Sequence, residues 1–135
     1  MKRIIPVLAV ILIAIFLFSF RQTQKIDLKA SIDRGKTIYV AQCITCHLEQ
    51  GEGIETVYPP LAKSDYLMAD KKRSIQQVLY GSNREMTVNG VTYNGVMNSF
   101  DLTDDEVSDV LNYVRNSFGN KGAPVTPEEV RASRK

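Results

Sequence analysis

Cys43-Ile44-Thr45-Cys46-His47 contains both cysteines and the single histidine of this 135-residue chain. A disulfide across so short a loop would stabilise little, because the stabilisation grows with the length of the closed loop. Cysteine pairs at this spacing are more often redox-active than structural. A structural zinc site needs four Cys or His ligands, whereas this chain offers three adjacent ones. A thioredoxin-like site would need a βαβ context that the flanking sequence lacks.

The spacing of these residues fits the covalent attachment of one haem. Two thiols can add to the two vinyl groups of the ring, so their separation must match that edge of it. The histidine that follows immediately can reach the iron. We therefore predict one covalently bound haem c, with Cys43 and Cys46 as attachment points and His47 as the proximal iron ligand. A disulfide, a redox-active dithiol and another metal remain the alternatives.

An uncharged apolar run, Ile4–Phe20, opens the chain after the basic residues Lys2 and Arg3. Its 17 residues are at the short end of what crosses a bilayer, and its end, Leu17-Phe18-Ser19-Phe20, is a poor cleavage site. We predict that residues 1–25 are a hydrophobic helix that anchors the chain in a bacterial cell membrane as a single span. The rest would lie on the periplasmic or outer face. A cleaved signal, which would leave a soluble periplasmic protein, and a buried helix are the alternatives.

The haem domain is predicted to span residues 26–120, with a C-terminal tail over residues 121–135. Four of the 17 basic residues precede Asp27 and no acidic residue does, so the remainder has 13 basic and 15 acidic side chains. A net charge of −2 over that part argues against a nucleic-acid partner.

Helical patterns predict two helices in the first part of the haem domain. Apolar side chains at helical spacing indicate a helix over residues 29–42, with Gly35 inside it. Glycine inside a helix costs roughly 1 kcal/mol relative to alanine, so Gly35 is either tolerated there or marks a close helix crossing. A second helix is predicted over residues 71–80, with Asp70 as its N-cap and Gly81 beyond its end.

Stronger local signals mark a small β-hairpin and the last helix. Asn89-Gly90 supplies the positive φ angles of a type I′ turn, and Val and Thr residues flank it on both sides. Thr103-Asp104-Asp105-Glu106 is a capping box that starts a helix, whose apolar face is predicted to run to Phe118 and to end at Gly119. Thr126-Pro127 predicts one more helical turn in the tail.

The iron of a His-ligated haem needs a second axial ligand or keeps an open site. The candidates are methionines, because the chain has no second histidine. Met68 is more typical of a core residue, and Met86 begins the hairpin. Met97 lies between the hairpin and the last helix, in a loop that can fold over the haem face opposite His47, and it is the predicted ligand. An open site would instead allow sensing or peroxidase-like chemistry.

The stretch Tyr58-Pro59-Pro60-Leu61 is predicted to be extended, because consecutive prolines restrict the backbone and remove its donors. Such a segment could present a fixed carbonyl to the other ring nitrogen of a haem-ligating histidine. An ordinary rigid loop is the alternative.

From about residue 29 to residue 120 the chain resembles the class I cytochrome c family. The resemblance implies a small all-α fold that wraps one haem, with its first and last helices crossing. A glycine with an aromatic residue four positions later, typical of the family's first helix, is matched by Gly35 and Tyr39. An aliphatic and an aromatic residue three apart, typical of the last helix, are matched by Val110 and Tyr113.

The same resemblance implies roles for three residues at the haem. The family's Pro-x-Leu stretch matches Pro59-Pro60-Leu61, so the Pro59 carbonyl would accept a hydrogen bond from the His47 ring, and Leu61 would contact the haem. Its distal methionine matches Met97, although Asn98 follows here where many bacterial relatives have proline.

His/Met ligation raises the reduction potential and leaves no site for a substrate. The predicted function is therefore electron transfer on the periplasmic side rather than catalysis, with an oxidase, reductase or dehydrogenase as redox partner. The membrane would be contacted through the N-terminal helix. Five basic residues between Lys63 and Arg84 could steer an acidic partner, although such a run is more often a solvated face.

Overall fold

The computed structural model describes residues 26–135, which form a mostly helical domain with one small antiparallel hairpin. Its elements are α1 Leu28–Gln42, α2 Ile44–His47, α3 Asp65–Ala69, α4 Lys71–Tyr80, β1 Met86–Val88, β2 Val91–Tyr93, α5 Asp104–Arg115 and α6 Pro127–Ser133. The predicted helices and hairpin are therefore confirmed, apart from one helix end. The predicted hydrophobic helix within residues 1–25 lies outside the described residues. Among the described helices, none is long and apolar enough to cross a membrane.

Helices α1 and α5 cross in direct backbone contact at Gly35. A Cβ atom on Gly35 would lie 2.0 Å from the carbonyl oxygen of Asp109 and 2.9 Å from the Cβ of Tyr113. No side chain fits at such distances, so only glycine allows the two backbones to approach this closely. Gly35 thus marks a close helix crossing, and the crossing of the first and last family helices that the resemblance implies is observed.

An aromatic cluster packs beside this crossing. The Tyr39 ring centroid lies 5.3 Å from that of Tyr113 and 5.3 Å from that of Phe118, and the last two are 5.4 Å apart. Tilted pairs at these distances are worth about 0.5–1.5 kcal/mol beyond the area they bury. The Tyr39 hydroxyl donates to the carbonyl of Leu48 at 2.6 Å. The cluster therefore ties α1 and the end of α5 to the residue that follows the Cys43–His47 motif.

The predicted helix caps and the predicted hairpin turn are present in the structure. The Asp70 carboxylate accepts from the backbone N–H of Arg73 at 2.9 Å, as an N-cap of α4. Asn89 and Gly90 have φ angles of 50° and 82°, which fit the predicted type I′ turn. Thr103 and Glu106 form both bonds of the capping box that begins α5.

The predicted end of α5 was wrong, because the helix stops at Arg115 and does not reach Phe118. Asparagine side chains satisfy the last carbonyls instead of further helical turns. Asn116 Nδ2 donates to the carbonyl of Asn112 at 3.0 Å, and Asn120 Nδ2 donates to that of Val114 at 2.8 Å. The chain then reverses, with Phe118 at a φ of 55°. Phe118 reaches the core from this turn and not from the helix face.

Helix α5 is buried on nearly every side, whereas the sequence predicted one apolar face. Its polar residue Asn112 is fully buried. The Asn112 amide donates to Ser31 Oγ at 2.8 Å and to the carbonyl of Val125 at 3.0 Å, while its oxygen accepts from the Val125 N–H at 2.7 Å. One side chain thus connects α5 to α1 and to the C-terminal segment, which is why a polar residue is stable there.

The segment 121–135 packs onto the domain through α6. Val125 and Val130 are fully buried in the same core as α5. The Asp104 carboxylate accepts from Arg134 Nε at 2.6 Å and from Arg131 Nε at 3.2 Å. These two bonds join the start of α5 to the last helix.

Replacement of Asp104 by asparagine is expected to make folding stability fall less steeply as the pH is lowered. The Asp104 pKa is lowered, chiefly by the hydrogen bond from Arg134. A lowered pKa stabilises the fold above the pKa of the unfolded chain, which is about 3.9 for an aspartate, and this stabilisation is lost as the pH falls through the folded value. Thermal unfolding should be measured from pH 6 to pH 2. At pH 6, Asp104→Asn should be less stable than wild type by under about 1 kcal/mol, because exposed ion pairs contribute little. Asp101→Asn, at a nearby exposed position, is the control. If stability fell equally steeply with pH in both variants and in wild type, the role given to the Asp104 carboxylate would be contradicted.

Candidate functional site

The motif Cys43–His47 folds into one helical turn. Cys43 ends α1 and caps α2, and its carbonyl accepts from the backbone N–H of Cys46 at 3.2 Å and of His47 at 3.0 Å. A three-residue separation on such a turn places both thiols on one face. Leu48 then takes a φ of 62°, which ends the turn. The two cysteines are free, and both are half-buried.

Burial keeps the Cys43 thiol protonated. It raises the pKa of Cys43 to about 11, with a smaller contribution from neighbouring Cys46. Redox-active dithiols work through a thiolate whose pKa is lowered by nearby positive charge, and the environment of Cys43 acts in the opposite direction. The burial of Cys43 therefore disfavours the redox dithiol among the alternatives.

The His47 ring presents one free nitrogen. Its Nδ1 lies 3.0 Å from the carbonyl oxygen of Pro59. Because a carbonyl can only accept, Nδ1 carries the proton and Nε2 keeps its lone pair. Burial lowers the pKa of His47, partly offset by this hydrogen bond. The ring is therefore neutral at physiological pH, which is the form that binds a metal.

Two glycines hold the proline segment against the histidine turn. Gly53 has a φ of 63°, and a Cβ atom on it would lie 2.3 Å from the carbonyl oxygen of Tyr58 and 2.8 Å from that of Pro59. Its N–H also donates to the carbonyl of His47 at 3.1 Å. Gly51 accepts from the Leu61 N–H at 2.7 Å. The sequence showed these glycines only as a loop signal, because their role depends on a backbone contact made in the fold.

A cavity of about 340 Å³ lies beside the motif. Both thiols and the His47 ring line it, together with Pro59 and Leu61. Its further walls are apolar side chains that come mainly from α4, the hairpin and α5: Leu67, Val78, Val88, Val110, Leu111 and Val114. Protein interiors are close-packed and have few voids larger than a water molecule, so an apolar cavity of this size fits a bulky apolar group.

The structure separates the three candidate methionines. Met97 and Met86 both line the cavity, whereas Met68 packs against the hydrophobic core. Thioether sulfur, a neutral imidazole and two thiols thus surround one apolar space. This donor set fits a haem attached through both cysteines.

Comparison with known proteins agrees with this fit. A family model described as "Cytochrome c" matches residues 32–118. Cytochrome c-552 of Thermus thermophilus is 41% identical over 110 residues, which are 74% of this chain and 83% of that protein. The cytochrome c subunit of alcohol dehydrogenase (quinone) from Gluconobacter oxydans is 31% identical over 94 residues, which are 68% of this chain and 20% of that subunit. A cytochrome c-553-like protein of Synechocystis is 28% identical over 114 residues.

A folded haem motif beside an apolar cavity defines the class of protein as a c-type cytochrome. The chain belongs to the cytochrome c family, as a class I member. Membership of this family implies electron transfer through a covalently bound haem c.

Proposed function

We propose that this chain is a monohaem electron-transfer cytochrome whose haem is attached at Cys43 and Cys46 and ligated by His47 and Met97. The proposal is carried by one observation: both thiols, the only histidine and the loop methionine Met97 line the same apolar cavity. When bound, the haem supplies a reversible one-electron iron couple. The residues of the chain decide its ligation, its burial and its potential.

His47 would ligate the haem iron through Nε2. The Pro59 carbonyl, at 3.0 Å from Nδ1, fixes the tautomer and the ring orientation, and a hydrogen bond of this kind makes the ligating nitrogen more basic. The prolines at positions 59 and 60 stiffen the segment that presents this carbonyl. Leu61 forms part of the apolar wall, which excludes water from the site.

Met97 would supply the second iron ligand. A thioether donor raises the reduction potential relative to harder ligands, and it leaves no coordination site for a substrate. Electron transfer without enzymatic turnover follows from this ligand pair. Met86 also lines the cavity, but it lies in β1, opposite Tyr93 in the hairpin register, whereas Met97 lies in the loop between the hairpin and α5.

The redox partner is proposed to be an oxidase, reductase or dehydrogenase on the periplasmic face. The apolar run Ile4–Phe20 would anchor the chain to the membrane, and the quinone alcohol dehydrogenase subunit among its relatives supports a dehydrogenase partner. Part of the basic stretch is used within the fold. Lys71 pairs with Glu129, and Arg73 stacks on the Tyr66 ring at 3.6 Å. Steering of an acidic partner would rest on the other basic residues of the stretch.

The full chain, expressed with haem-maturation machinery and purified in detergent, tests the proposal. One haem per chain should resist extraction by acidified acetone, because two thioether bonds hold it. The oxidised protein should show the weak charge-transfer band of a thioether bound to iron(III), and the reduced protein should not bind carbon monoxide. Rapid carbon monoxide binding together with a missing band would favour the open-site alternative, a sensor or peroxidase-like protein.

A further inference from the structure

The loop that carries Met97 is fastened to the chain that follows α4. The Ser82 N–H donates to the Met97 carbonyl at 2.9 Å, and the Met97 N–H donates to the Ser82 carbonyl at 2.8 Å. These two bonds form an isolated antiparallel bridge. Both backbone groups of Met97 are therefore paired with one residue that is 15 positions earlier in the chain.

Gly81 is the residue that allows this bridge. It ends α4 with a φ of 73°, and its N–H donates to the carbonyl of Gln77 at 2.8 Å. A Cβ atom on Gly81 would lie 2.3 Å from the Met97 carbonyl oxygen and 3.0 Å from the backbone nitrogen of Ser99. The contacting atoms are all backbone, so they could yield only if the Met97 loop moved away from α4.

The side chains of this loop form part of the cavity wall, which Val96, Met97 and Asn98 all line. The residue after Met97 is Asn98 and not a proline, so its φ angle is not restricted by a ring. One more backbone bond reaches α4, from the Phe100 N–H to the carbonyl of Val78 at a long 3.3 Å. The two bonds between Ser82 and Met97 are shorter than this one, so the bridge is the closer backbone attachment of the loop to the end of α4.

We propose that Gly81 is a positioning residue for the distal ligand: it lets the end of α4 clamp the Met97 backbone and so keeps the Met97 thioether on the iron. This inference rests on the proposed ligation by Met97. It assigns to Gly81 a function beyond ending a helix, and it explains how the loop is held without the proline that often follows the distal methionine.

The test compares two Gly→Ala variants of the haem-loaded full chain. Gly90 is the matched control, because its φ is 82° and a Cβ atom there would meet nothing within 4 Å. Both variants place alanine at a positive φ, with an extended ψ of −170° at Gly81, but only Gly81→Ala pushes on the Met97 loop. Added imidazole is the probe, since it can bind the oxidised iron only when the thioether has left it.

Gly81→Ala should bind imidazole roughly tenfold faster than wild type, because two backbone hydrogen bonds of ordinary net strength are weakened. Its thioether–iron(III) band should also be weaker, whereas Gly90→Ala should match wild type in both measurements. Equal rates and bands in the two variants would overturn the inference, even if both variants lost thermal stability.

Two further variants separate the possible failures. Ser82→Pro removes one donor of the bridge and keeps Gly81, so it should also bind imidazole faster than wild type. This variant tests the inference if Gly81→Ala does not fold. A wild-type rate in Ser82→Pro would overturn the inference. Met97→Ala should lose the band completely. If it keeps the band, the proposed ligand is wrong and the inference falls with it; if it loses the band while Gly81→Ala behaves as Gly90→Ala, only the inference fails.

Discussion

Met97→Ala is expected to lower the reduction potential of the haem-loaded protein by on the order of 0.2 V, a part of the roughly 0.8 V range over which axial ligands set haem potentials. A thioether favours the reduced iron, so its loss favours the oxidised state. The vacant position would bind water in the oxidised protein and carbon monoxide in the reduced protein. A redox titration and the two visible spectra measure these changes.

Met86→Ala is the matched control for this prediction, because Met86 also lines the cavity. Its removal takes away a similar volume of apolar side chain while leaving Met97 in place. We expect a small change in potential and an unchanged thioether band. If Met86→Ala lost the band and Met97→Ala kept it, the distal ligand would have to be reassigned to the hairpin.

Gly35→Ala is expected to destabilise the folded protein by about 3 kcal/mol, the upper end of what overpacking costs. Helix propensity alone would predict the opposite sign, since alanine is favoured over glycine inside a helix by roughly 1 kcal/mol. The packing effect should dominate, because the new Cβ atom would lie 2.0 Å from the Asp109 carbonyl oxygen. Denaturant unfolding of the haem-loaded protein, followed by far-ultraviolet circular dichroism, gives the free energy.

Thr37→Ala, at an exposed position of the same helix, controls for changes in helix propensity and should be neutral or slightly stabilising. A native stability of 5–15 kcal/mol is typical of a domain, so the loss at Gly35 would remain measurable in a folded variant. A Gly35→Ala protein as stable as wild type would mean that α1 and α5 can move apart at little cost, and the close crossing would not be essential.

Features that depend on neighbouring residues were predictable from the sequence. The pattern Cys43–His47 predicted the haem because its chemistry resides in five consecutive residues. The Asp70 cap, the capping box at Thr103 and the Asn89-Gly90 turn are likewise local, since each hydrogen bond or φ preference acts within about one turn of the chain. Such signals keep their meaning wherever the segment is placed in the fold.

Residues that act through distant backbone were not predictable in the same way. Gly53 and Gly81 look like ordinary loop and helix-end glycines, and only the fold shows that a Cβ atom would strike the Pro59 and Met97 segments. Asn112 carries no signal in the sequence, yet its amide connects α5 to Ser31 and Val125. The end of α5 was also misjudged, because asparagine side chains from beyond the helix satisfy its last carbonyls.

The sequence by itself determined the cofactor class and most element boundaries of this cytochrome, and it offered His47 as its single histidine. Only the tertiary structure decided which carbonyl faces the His47 ring, which methionines share its cavity and what fastens the Met97 loop. The physical reason is the distance along the chain over which each interaction acts. Covalent and capping preferences are satisfied by adjacent residues, whereas close backbone approach and burial arise only when elements far apart in the chain pack together.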